Sequence, residues 1–88
     1  MGQVAVLFRL MPDAVETDLA AIANAVKPSL PPEVALRGMQ SKDIAFGLKA
    51  LLVAVIMPDQ GGLLDATESA LSKLPHVESV EVMEEGLL

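Results

Sequence analysis

Hydrophobic residues in this chain fall into four alternating runs and two blocks of helical spacing. Over residues 3–11, Val4, Val6, Phe8 and Leu10 alternate with Ala5, Leu7, Arg9 and Met11. That pattern predicts a strand, apolar on one face and mostly apolar on the other. Pro12 and Asp13 end it. Residues 18–27 place Leu19, Ile22, Ala23 and Val26 on one face of a helix. Thr17 or Asp18 is the expected N-cap, and Pro28, Pro31 and Pro32 are expected to stop the helix. Residues 34–41 read as a weaker strand with a bulge at Gly38, and 42–47 as a loop. Leu48–Met57 is the longest apolar run and reads as a central strand. A turn over 58–62 leads to a second helix over 63–74, with Leu63, Ala66, Ala70, Leu71 and Leu74 inward. Residues 77–83 form a last strand, with Val80 and Val82 toward the core and Glu78 and Glu81 exposed. The remainder, 84–88, reads as a short mobile tail.

The predicted order is βαββαβ, two strand–helix–strand units in succession. This is the ferredoxin-like arrangement: an α+β sandwich with a four-stranded antiparallel sheet and two helices on one face. Right-handed crossovers place the first and third strands in the centre. The opposite face is then uncovered and carries Ala, Leu, Val and Met, and an uncovered apolar face often marks an interaction surface.

Composition sharpens this. Eighty-eight residues are expected to form a single domain, 1–88. The chain has no cysteine, which excludes disulfides, thiolate metal sites and a cysteine nucleophile. Six bases face twelve acids, and after Lys73 four glutamates follow with no base. Nucleic acid is a poor match for such a charge, because phosphate contacts need clustered Lys and Arg. No apolar run is long enough to span a bilayer and no signal peptide is evident, so a soluble cytoplasmic protein is expected.

Candidate chemistry is sparse. The one histidine, His76, reads as an exposed loop residue. The serines lie in no nucleophile motif. Glu81, Glu84 and Glu85 lack the spacing of a calcium loop, and Gly61-Gly62 lacks the following Lys-Ser/Thr of a phosphate loop. No enzyme activity, metal or cofactor is expected. Phe46 stands out as one of two aromatic residues, placed beside Gly47 in a connection. The residues alone leave it two readings: folded back onto the core, or projecting to anchor a partner.

The segment IAFGLKALLVAVIMPD, the start VAVLFRLMPDAVETDLAAI and the ending HVESVEV resemble the translation elongation factor 1-beta family in its short archaeal form. The resemblance covers essentially the whole chain. It implies a guanine nucleotide exchange factor whose partner is the GTPase elongation factor 1-alpha. It also implies that Phe46, flanked by Ile44, Ala45 and Gly47, contacts that GTPase. Eukaryotic relatives place a lysine next to the C-terminal residue, directed at the magnesium site. Here that position is Leu87, so Gly86, Leu87 and Leu88 are candidate partner contacts without the lysine's charge. A small-ligand regulatory module is the alternative use of such a fold. An RNA-binding sheet is disfavoured, since the central strands offer no aromatic stacking pair.

Overall fold

The computed structural model describes residues 2–88. Six elements follow in order: β1 (Gln3–Pro12), α1 (Leu19–Ser29), β2 (Ala35–Ala45), β3 (Leu48–Pro58), α2 (Leu63–Ser72) and β4 (Val77–Leu87). The strands form one antiparallel sheet in the order β2-β3-β1-β4. The expected ferredoxin-like α+β fold, with the first and third strands central, is what the chain adopts.

Alternation decides which face is buried. Val4, Val6, Phe8 and Leu10 of β1 and Leu51, Val53, Val55 and Met57 of β3 point at the helices. Ile22 and Val26 of α1 and Leu63 and Leu71 of α2 close the core over them. In α1, Asp18 is the N-cap and its carboxylate accepts from the Ala20 backbone N–H at 3.0 Å. The helix runs to Ser29, through Pro28, so that proline does not stop it. In α2 the inward stripe is Leu63, Thr67 and Leu71, one residue per turn, while Ala66 is exposed. The fully buried Thr67 hydroxyl donates to the Leu63 carbonyl at 2.8 Å. That bond inside its own helix removes the cost of burying the hydroxyl.

Two expectations at the strand ends are corrected. Residues 42–45 are not a loop: β2 continues to Ala45, with Lys42 opposite Ala50 and Asp43 opposite Lys49. Residues 84–87 are not a mobile tail either. Leu87 pairs with Val4 and Gly86 with Ala5, and the Leu88 N–H donates to the Gln3 carbonyl at 2.8 Å. In both segments the pairing is made by backbone groups, so charged side chains did not prevent it. Register shifts in β4 and β2 absorb extra residues as bulges, one of them at Arg37–Gly38 as Gly38 had suggested. Val82 lies opposite Phe8 yet is 38% exposed, so it adds little to the core.

Candidate functional site

β2 and β3 are joined by only two residues, Phe46 and Gly47, closed by the Ala45–Leu48 pair. Both have positive φ, 52° and 81°. Two-residue hairpin turns of the I′ type demand positive φ at both positions, because that twist matches the flanking strands. Gly47 meets the demand freely. Phe46 does not: a side chain in the left-handed region costs about 1–2 kcal/mol. Asn, Asp or Gly would sit there more easily. An aromatic residue held in this conformation, 103% exposed, gains nothing from folding by being there. Phe46 therefore projects, which excludes the reading that folds it back onto the core. Backbone strain of this kind is characteristic of positions kept for contact rather than for stability.

The hairpin tip has neighbours. The register places it at the pole where β1 ends and β4 begins. A Cβ on Gly47 would lie 3.8 Å from Val15 Cγ1, so the β1–α1 loop packs beside the turn. Val15 is itself 58% exposed, and Ile44 is partly exposed on the bulged end of β2. Val15 was missed in the sequence. Its only signal was an apolar residue inside the acidic run Asp13–Asp18.

The same loop is tied to the start of β4. Asp13 Oδ1 accepts from the Thr17 hydroxyl at 2.8 Å, and Asp13 Oδ2 lies 3.3 Å from His76 Nδ1. The Asp13 backbone N–H donates to the His76 carbonyl at 2.9 Å. His76, at φ 68°, is exposed as expected, but it is held by Asp13 rather than free. The Thr17 hydroxyl foremost, and then His76, hold the Asp13 carboxyl below its ordinary value of 3.8. A carboxyl whose folded-state value is depressed stabilises the fold above the unfolded value, and that contribution is lost as pH falls through the folded value. Thermal melts from neutral pH downward should show a loss of midpoint beginning below about pH 4. Asp13→Asn should flatten that acid limb; an unchanged slope would show that Asp13 does not contribute to it.

Gly86, Leu87 and Leu88 sit at the opposite pole. Leu87 is aligned across β1 with Met57 of β3, whereas Phe46 adjoins Leu48 at the other end of that strand. At about 3.3 Å per residue this separates them by about 30 Å, along the 42 Å longest dimension of the molecule. The structure therefore brings together Ile44, Ala45, Phe46 and Gly47, and does not join the C-terminal residues to them. Leu87 and Leu88 are 73% and 70% exposed. Among the described residues no group of three or more His, Cys, Asp or Glu side chains converges as a metal site, and no helix is long and apolar enough to cross a membrane.

Residues 5–87 match the model of the EF-1 guanine nucleotide exchange domain. The chain belongs to that family. Its relatives include elongation factor 1-beta of Halorubrum lacusprofundi, 42% identical over 88 residues with all of both chains covered. That of Methanosarcina acetivorans is 41% identical over 85 residues, 96% of each chain. That of Halobacterium salinarum is 40% identical over 88 residues, again with both chains fully covered. Among solved structures, the C-terminal domain of the MgtC protein from Mycobacterium tuberculosis has a TM-score of 0.58 at 18% identity, covering 99% of this chain and 88% of that one. That likeness concerns the fold alone. Within this exchange-domain family, the exposed Phe46 turn is the feature of the chain that folding does not account for.

Proposed function

We propose that this chain, as one exchange domain, binds the GTPase elongation factor 1-alpha in the cytoplasm and speeds release of GDP, so that GTP can rebind during translation elongation. The observation that carries the reading is Phe46, fully exposed on a strained turn in a chain of the exchange-domain family. Nothing covalent is involved. A factor that binds the nucleotide-free GTPase more tightly than the GDP-bound form weakens GDP binding by the same factor, since coupling between two ligands is reciprocal. Each 1.4 kcal/mol of that difference is about tenfold in affinity.

Two contacts about 30 Å apart suit a rigid body that grips at one end and displaces at the other. Phe46, with Ile44, Ala45, Gly47 and Val15 around it, is the anchor. Gly86, Leu87 and Leu88 are the perturbing end, acting by bulk and by the acids Glu84 and Glu85, since no base follows Lys73. The β1–β4 pairing supports this role, because a tail held in a sheet transmits a push that a mobile one would dissipate. The test is release of a fluorescent GDP from elongation factor 1-alpha with increasing factor. A clear acceleration is expected; an unchanged release rate at saturating factor would overturn the reading. Deleting Gly86–Leu88 should leave affinity for the GDP-bound GTPase intact and lower the saturated release rate by about tenfold, which is about 1.4 kcal/mol of barrier. An undiminished rate would assign the whole effect to the Phe46 pole.

A further inference from the structure

The sheet face turned away from the helices is ordered in rows that can be read directly from the strand register. One row runs Ala35, Ile56, Ala5, Gly86; the next Gly38, Ala54, Leu7, Glu84; then Gln40, Leu52, Arg9, Glu81. Beyond them Lys42 lies opposite Ala50 and Met11 opposite Ser79. The bulge at Arg37–Gly38 puts Arg37 beside Ala54 on this same face, where it lines a shallow hollow with Ala5, Leu7, Ile56 and Glu84. The two central strands thus supply an apolar floor of Ala5, Leu7, Leu52, Ala54 and Ile56. The rims have opposite signs. The β2 side carries Arg37 and Lys42; the β4 side carries Glu81 and Glu84. Arg9 in the floor is already paired with Glu81 at 2.6 Å, whereas Arg37 and Glu84 lie across the hollow from each other without an ion pair.

This pattern is self-complementary. A two-fold axis parallel to the strands, placed above the face, lays β2 of one copy over β4 of the other and keeps each row at its own level. Arg37 and Glu84 share a level, so Arg37 of each copy meets Glu84 of the other, and the apolar floors stack between the two contacts. We propose that two copies of this chain pair through their open sheet faces, with reciprocal Arg37–Glu84 contacts setting the register. Such an interface is isologous, the commonest kind in symmetric dimers, and is an aligned sheet-on-sheet packing in which twist sets the strands about 30° apart. Both Phe46 turns stay free at one pole, whereas Glu84 and Gly86 also belong to the end proposed to act on the GTPase, so pairing and GTPase engagement compete there; the test of pairing itself needs no GTPase.

The experiment is sedimentation equilibrium on wild-type chain up to about 1 mM, which detects even a millimolar dimer, followed by charge exchange. Arg37→Glu alone places Glu opposite Glu twice, and Glu84→Arg alone places Arg opposite Arg twice. Each should weaken the dimer at least tenfold, because like charges brought together at an interface are strongly unfavourable. Mixing the two single variants makes both contacts favourable again, as does combining both changes in one chain, and dimer should return in each case. Both side chains are exposed, and circular dichroism would verify that the variants stay folded. A wild-type chain that stays monomeric throughout overturns the proposal and leaves the face to solvent or to another protein. A dimer that is indifferent to both substitutions, or one that mixing fails to restore, also overturns it.

Discussion

Phe46→Asn should abolish stimulated GDP release while leaving the protein as stable as before, or more so. The expected stability gain has a local cause. Asn tolerates the left-handed region that Phe46 is forced into at φ 52°, which relieves part of a strain of about 1–2 kcal/mol. The apolar surface lost costs nothing in the monomer, because it was never buried. The functional loss arises at the partner. An aromatic anchor that fills a pocket typically contributes about 2–4 kcal/mol when truncated, or about thirtyfold to a thousandfold in affinity. The GDP release rate against factor concentration and a thermal melt, taken on the same preparation, make the measurement. Full exchange activity would remove Phe46 from the site. A stability loss in the range of a core truncation would mean that the ring is structural.

The other phenylalanine should behave in the opposite way. Phe8 lies at the centre of β1 and is 0% exposed, packed among the buried side chains of β3, α1 and α2. Truncating a buried Phe to Ala costs about 3–5 kcal/mol through lost transfer energy and the cavity left behind. Small domains have about 5–15 kcal/mol in total, so Phe8→Ala should lower the unfolding midpoint by at least about 12 °C and leave a substantial unfolded population at elevated temperature. Exchange activity should fall only in proportion to the folded fraction. A near-normal melting temperature would mean that the core refills the space, and that the packing around Val6, Leu10, Val53 and Leu71 is looser than the burial implies.

The two phenylalanines also show how much the sequence disclosed. Phe8 was legible because strict alternation assigns it a face. The same alternation gave the element order and the two central strands, where apolar content is high on both sides. The edges were less legible. Lys42-Asp43 and Glu84-Glu85 read as loop and tail because charge suggests solvent, yet edge strands carry charge for that very reason, to discourage pairing with other chains. Thr67 was invisible as a core residue because its hydroxyl is satisfied by a carbonyl within its own helix. At the candidate site, Phe46-Gly47 was found, but its strain was not, since Phe is a poor guide to a left-handed turn. The Asp13–His76 tie joins positions 63 apart, beyond the reach of any local pattern.

The sheet order has a consequence for how the chain comes to be folded. β1 is made first but pairs only with β3 and β4, so on the ribosome it has no strand partner until residues 48–58 emerge. Pairing between such distant segments is slow, because long loops must close before their contacts form. Throughout that interval Val4, Val6, Phe8 and Leu10 are an unprotected β-forming segment, and exposed segments of this kind drive aggregation. The N-terminal strand is thus the chain's most vulnerable region during synthesis, and α1, with its own N-cap, is the element that can form locally while β1 waits.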